Sequence, residues 1–209
     1  MQYKKILLLG VLLFSICLTI GCTFKEKTYD NTKINNIEQK DENEKKQTNK
    51  QYTKEDVWNE FCTSDRIRDN CRELTGKDFY LENIEHLSGN ITQLTNHDRY
   101  IIEIMSVDCY HCNNSMPYVL EYDNSNKEIP IYTCNFSDDP VTIKEWMSEK
   151  DYSFDIGMVE YDLVKYDLGI KYTPCFLFIE KNEIKLAFIG EIKSVEFIDT
   201  LICTAYQEQ

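Results

Sequence analysis

Positive charge is scarce in this 209-residue sequence: 23 lysines and arginines face 36 aspartates and glutamates, a formal net charge of −13. Nucleic-acid binding and electrostatically held membrane contacts both rest on clustered cations, so an acidic excess of this size argues against both. Histidine is scarcer still, with three copies, and neither His86 nor His97 stands in a pattern that suggests a metal ligand. Long apolar runs are missing too. The one candidate, Ile6 to Ile20, is shorter than the roughly 20 residues a spanning helix needs, and Phe24-Lys-Glu-Lys follows it closely. No internal repeat occurs, and no second linker interrupts the chain after residue 51.

What the N-terminal region does contain is Lys4 and Lys5, the apolar run, and the small residue Gly21. These are the features of a signal peptide, predicted over residues 1–21. Cys22 directly after Gly21 resembles the lipobox of bacterial lipoproteins. That resemblance implies lipidation at Cys22 and a membrane-anchored protein on the extracytoplasmic face of the cell membrane; the alternative is an ordinary secretory signal with an incidental Cys22. Residues 22–51 are rich in Lys, Glu, Asn and Gln and offer too little apolar surface to offset ordering entropy, so they read as a disordered tether. The remaining 158 or so residues are of a length that fits one domain.

Nine cysteines carry more information. With Cys17 in the leader and Cys22 under the lipid, seven remain: Cys62, Cys71, Cys109, Cys112, Cys134, Cys175 and Cys203. Outside the membrane thiols can be oxidised, and an odd number leaves at least one unpaired. Cys62 and Cys71 are near enough in sequence to staple the N-terminal part of the domain as a structural disulfide. Cys134, Cys175 and Cys203 lie in apolar patterns and read as buried small hydrophobes.

A helix is predicted from Thr53 to Cys62, with Thr53 as N-cap, Asp56 at the capping-box position, and Val57, Trp58 and Phe61 on one face. Residues 52–97 as a whole read as a helical or irregular extension. From there short strand-like runs alternate with helical ones: a strand over Tyr100–Met105, a helix after Cys109, a strand over Ile129–Asn135, and a helix opened by Asp139-Pro140 with Ile143, Trp146 and Met147 inward. A further helix is expected to carry Val159, Leu163, Tyr166 and Ile170. Phe176–Ile179 and Ile184–Ile189 flank a polar turn and predict a hairpin, and Ser194 caps a last helix with Ile198, Leu201 and Ile202 inward. The order implies a three-layer α/β domain with a central mixed sheet.

The stretch "SVDCYHCNNSMP" holds Cys109 and Cys112 separated by Tyr110 and His111. Taken alone, such a pair is a working dithiol, a structural disulfide or half of a metal site, and a closed tetrahedral site would need two more ligands. Several spaced residues then resemble the thioredoxin superfamily over residues 98–209. Glu103 stands six before Cys109, Pro117 five after Cys112, Thr173-Pro174 opens the strand "CFLFIE", Gly169 sits five before that proline and Gly190 sixteen after it. The resemblance implies a thioredoxin-like fold with an insertion around residues 141–161, a cis bond at Pro174, and a substrate peptide held on the backbone of Thr173. It implies neither metal nor cofactor. The chain departs from thioredoxin itself at Asp108, where a tryptophan is usual, at Tyr110-His111, where Gly-Pro is usual, and around Thr133, where a lysine near the buried acid is usual.

The chemistry gives each residue a role. Cysteine attacks as thiolate, and a helix start directs free N–H groups and the positive dipole end at the Cys109 sulfur. Protonated His111 would stabilise that thiolate, whereas Asp108 would oppose it. Cys112 is the resolving thiol, and Glu103 is the candidate acceptor for its proton, through water. These residues predict a thiol–disulfide oxidoreductase acting on cysteines of exported proteins and recharged by an unnamed redox partner. Residues 79–112 also broadly resemble bacteriocin transport accessory proteins, which implies an accessory role in peptide export as an alternative. A binding lipoprotein that keeps the fold without redox use is the third reading.

Overall fold

The computed structural model describes residues 51–125 and 127–207. The predicted leader, Cys22 and the tether lie outside the described residues. Among the described residues no helix is long and apolar enough to cross a membrane.

The strands are β1 (Asn83–His86), β2 (Ile91–Gln93), β3 (Arg99–Met105), β4 (Ile131–Asn135), β5 (Gly157–Met158), β6 (Cys175–Glu180) and β7 (Glu183–Ile189). They form one mixed sheet in the order β2-β1-β5-β4-β3-β6-β7. The helices are α1 (Lys54–Phe61), α2 (Asp65–Leu74), α3 (Tyr110–Asn124), α4 (Pro140–Glu149) and α5 (Val195–Ala205), with a π-helical segment at Leu163–Leu168. Every residue of β3 after Arg99 is buried, as befits a strand covered on both faces. It pairs in parallel with β4 and antiparallel with β6, which fixes it at the centre.

Crossovers β3-α3-β4 and β4-α4-β5 step the same way across the sheet, so right-handed connections put α3 and α4 on one face. The helix α5 packs beside α3. On the opposite face α2 meets the π-helical segment, where Asn70 Nδ2 donates to the Gly169 carbonyl at 3.0 Å and Lys77 Nζ to that of Leu168 at 2.7 Å. The three-layer mixed-sheet architecture is the one the sequence predicts.

Three local features differ from expectation. Residues 52–97 contribute two strands, β1 and β2, to the same sheet. The helix expected through Val159 and Tyr166 begins only at Leu163 and is π-helical; its wider turn buries Val164 and Leu168 and leaves Tyr166 74% exposed. Within residues 141–161 the chain makes α4 and then β5, which slots between β1 and β4. That slot admits no side chain at Gly157, where a Cβ would collide with Ile84 Cγ2 and crowd Cys134 Sγ.

The N-terminal helices seal the sheet edge at β7. Thr53 and Asp56 form the predicted capping box on α1. Behind it, Trp58 Nε1 donates to the Ala187 carbonyl at 2.9 Å, Ala187 N–H donates to Thr75 Oγ1 at 3.0 Å, and the backbone of Gly76 and Lys77 pairs with both polar groups of Ile184. The β6–β7 hairpin turns through Lys181 and Asn182, both with positive φ, the geometry of the tight turns that match strand twist.

Cys62 and Cys71 meet in this region as two buried thiols with their sulfurs 3.9 Å apart, not as the disulfide expected. The sulfurs are in contact without the bond, and Cys62 Sγ also donates to the Ile189 carbonyl at 3.8 Å. Cys134 and Cys175 are buried as predicted, whereas Cys203 is exposed because the inward face of α5 runs through Ile198 and Leu201. His86 is buried on β1, not at the surface.

Candidate active site

The dithiol sits where β3 ends and α3 begins. Cys109 is the N-cap of α3, and its Sγ accepts the N–H of Cys112 at 3.1 Å. Cys109 and Cys112 are joined as a disulfide. Cys109 is half-buried and Cys112 is fully buried, so an outer and an inner sulfur are distinguished by access alone.

Polar side chains that the sequence reading did not single out hold this turn in place. Asn113 Nδ2 donates to the carbonyls of Val107 at 2.8 Å and Cys109 at 3.0 Å, and Asn113 Oδ1 accepts from Trp146 Nε1 at 2.8 Å. Val107 N–H donates to Asp138 Oδ2 at 2.9 Å. On the far side, buried Ser115 donates to the His111 carbonyl at 2.9 Å and accepts from Ile192 N–H at 2.9 Å. The signal for these residues was weak, since a lone Asn or Ser in a helical pattern also fits a solvated face. Trp146 was visible only as an apolar helix position.

The exposed His111 ring engages a carboxylate. Its Nδ1 lies 2.8 Å from Glu191 Oε2, which also accepts from Asn114 Nδ2 at 3.2 Å. The hydrogen bonds from His111 and Asn114 hold the Glu191 carboxyl below the usual carboxylate range. A histidine whose charge is matched by a carboxylate favours a nearby thiolate less than a free imidazolium would.

Glu103 is completely buried. Its face of β3 is that of Met105, two residues on, and Met105 packs with Cys112 and Met116, so the carboxyl lies on the sheet face covered by α3. Oε2 accepts from Thr133 Oγ1 at 2.8 Å, and Oε1 has no hydrogen-bond partner among the described residues. Burial pushes the carboxyl up to about 7, against the opposing pull of the Thr133 hydrogen bond. An acid poised there changes protonation state readily near neutral pH.

The Thr173-Pro174 bond is cis and Pro174 is buried. Because Cys175 pairs with Ile104, Pro174 stands level with Met105 at the strand end that leads into the dithiol turn. The same register puts the Cys175 thiol on the Ile104 face, opposite Glu103, where burial raises it far above the ordinary thiol range. Cys175 is therefore not a third member of the dithiol site. Among the described residues no cluster of three or more histidine, cysteine, aspartate or glutamate side chains is placed to hold a metal ion.

No family model matches the chain, and no curated protein matches it. Solved structures do. A thioredoxin-family thiol:disulfide interchange protein of Chlorobium tepidum superposes with a TM-score of 0.51 at 14% identity, over 63% of this chain and 95% of that one. A candidate DsbE of Chlorobium tepidum gives 0.53 at 12% identity over 63% and 97%. StoA from Bacillus subtilis gives 0.50 at 13% over 57% and 94%. The chain has a thioredoxin-like fold. The part of it that these structures leave uncovered exceeds a third, and identities this low speak to the fold alone.

Proposed function

We propose that this protein is a thiol–disulfide oxidoreductase, lipid-anchored at Cys22 on the extracytoplasmic face of the membrane, that acts through Cys109 and Cys112 on cysteines of exported proteins. One observation carries the reading: an accessible sulfur at a helix start is bonded to a fully buried one, on the sheet face that holds a buried carboxyl and beside a cis-proline. A structural disulfide would need neither the carboxyl nor the proline.

In the reducing direction, Cys109 thiolate attacks a substrate disulfide, forming a mixed disulfide and expelling one substrate thiolate. Cys112 gives its proton to Glu103 and attacks the Cys109 sulfur. The mixed disulfide breaks, the second substrate sulfur leaves as thiolate, and the Cys109–Cys112 bond forms. Oxidation of a substrate dithiol is the same path reversed, and the reduction potential of the pair decides between them.

A polypeptide substrate fits the surroundings. Tyr110, Val141, Tyr161, Tyr166 and Tyr172 are exposed, and the chain order puts all five on segments that leave or enter the sheet at the dithiol end. Exposed apolar side chains on those segments favour an unfolded chain over a small polar thiol, although Tyr80 and Ile91 are exposed as well, and the Thr173 backbone beside the cis-proline offers such a chain a strand to lie on.

The test is trapping. Cys112→Ser should accumulate a mixed disulfide through Cys109 with a reduced and reoxidised protein substrate, and Cys109→Ser should trap nothing. Equal inactivity of the wild-type protein and Cys109→Ser on every disulfide and dithiol substrate would remove the redox reading.

A further inference from the structure

A buried acid that takes a proton in every cycle must also lose it. Glu103 is fully buried, and the route by which its proton reaches water is a separate question from its role as acceptor. Thr133 touches both sides of that question. Its hydroxyl donates to Glu103 Oε2 at 2.8 Å, and Thr133 is also part of the wall of a cavity of about 210 Å³ that opens to solvent. The cavity is closed in by Leu120 and Asp123 of α3, Phe154 and Asp155 ahead of β5, and His86 of β1. At roughly 30 Å³ of liquid volume per molecule it has room for several waters.

The polar lining suits water. His86 Nε2 is held by Thr92 Oγ1 at 2.8 Å, while Nδ1 is buried, has no hydrogen-bond partner among the described residues, and lies 4.0 Å from Asp155 Oδ2. A hydroxyl can donate one hydrogen bond and accept two, so Thr133 can donate to the carboxylate and accept from a cavity water at once. Glu103 Oε1 stays free for the resolving thiol.

We propose that Thr133 and this cavity form the proton outlet of Glu103, with Thr133 a positioning residue that holds the carboxylate and links it to cavity water. The proposal rests on Glu103 accepting the Cys112 proton. In the step, the Cys112 S–H bond breaks and an O–H bond forms at Oε1. The carboxyl turns about its Cγ–Cδ bond, its proton passes to the Thr133 hydroxyl, and that hydroxyl releases its own hydrogen to a cavity water. The carboxylate is restored, and one proton has moved from Cys112 to solvent without oxidation or reduction. The titratable groups around the route are Cys112 and Asp123 on α3, Cys134 and Tyr132 on β4, His86 on β1, and Asp155.

Two readouts test it. The first is the titration of Glu103 by its infrared carboxyl band, assigned with Glu103→Gln, which needs no substrate. Thr133→Val should raise the midpoint by about one pH unit, since a hydrogen bond of ordinary strength to the charged form is withdrawn; Thr133→Ser should restore it. The second is closure of a preformed mixed disulfide between Cys109 and glutathione, followed against pH. Thr133→Val should slow closure about tenfold near neutral pH, Thr133→Ser should close as wild type, and Leu120→Phe, which narrows the cavity, should slow closure without moving the Glu103 midpoint. Equal behaviour of the valine and serine variants in both readouts would overturn the outlet, as would wild-type closure in Leu120→Phe. Failure of the wild-type mixed disulfide to close would instead overturn the redox reading, and the infrared titration would still decide whether Thr133 governs Glu103.

Discussion

Trp146 Nε1 donates to Asn113 Oδ1 at 2.8 Å, and through that bond the helix α4 supports the first turn of α3. Asn113 passes the support on to the Val107 and Cys109 carbonyls on either side of the dithiol turn. Trp146→Phe keeps most of the apolar contact and removes the donor. It should cost about 1 kcal/mol of stability, the usual worth of such a bond, seen as a lower denaturation midpoint. The faster reduction of the Cys109–Cys112 bond by a small thiol should report the loosened turn.

The carboxyl of Glu103 is raised in the folded protein to about 7 from an ordinary 4.5. The folded state therefore binds more protons than the unfolded one between those values, and stability falls as pH rises through that window. Glu103→Gln removes the penalty. It should be more stable than wild type at pH 8, by an amount on the order of a few kcal/mol, with little difference at pH 4, as measured by urea unfolding at both. The same variant should slow closure of the mixed disulfide near neutral pH and move its rise to higher pH, where the Cys112 thiol ionises directly to solvent.

Glu191 Oε2 lies 2.8 Å from His111 Nδ1. Glu191→Gln leaves the imidazole without its anion and should favour the Cys109 thiolate. A stabilised thiolate makes the disulfide the better oxidant, so the reduction potential should become less negative by about 30 mV, a roughly tenfold change in the equilibrium. Equilibration with glutathione buffers measures it, and an unchanged potential would mean that the pair does not act on the sulfur.

Cys62 and Cys71 stand 3.9 Å apart as thiols. In an excess of oxidised glutathione they should close, with the two hydrogens reducing one glutathione disulfide. Peptide mapping should then find a Cys62–Cys71 link. A loop this short should add about 2–3 kcal/mol by restricting the unfolded chain, and the gain should vanish in Cys71→Ala.

Much of the fold was legible because apolar periodicity reports directly on which face is buried. The run Tyr100 to Met105 reads as a strand, and it lies within β3. Periodicity misled at Leu163–Leu168, where a four-residue spacing fits an α-helix but the chain takes the wider π-helical turn that puts Tyr166 outside. Strands β1 and β2 were missed because three- and four-residue strands carry too few alternations to register, and one of the two partners of β1 is the distant strand β5. At the candidate site, Cys109, Cys112, Glu103 and Pro174 were singled out by spacing. Thr133 was placed near the buried acid only as a departure from the family pattern, and Asn113 and Glu191 were not singled out, since their roles depend on which side chain lies opposite, and a single sequence does not give that.

The closed edge at β7 bears on how this protein can share space with other unfolded chains. A strand whose outer N–H and C=O groups are free is a template on which any extended segment can crystallise into sheet. Here Ile184 and Ala187 already bond to Gly76, Lys77, Thr75 and Trp58, and β2 at the opposite edge has only three residues. An extended segment is thereby denied purchase on the flanks, so a substrate chain of the kind proposed above would be left with the short backbone stretch at Thr173 and would not be seeded into sheet at either edge.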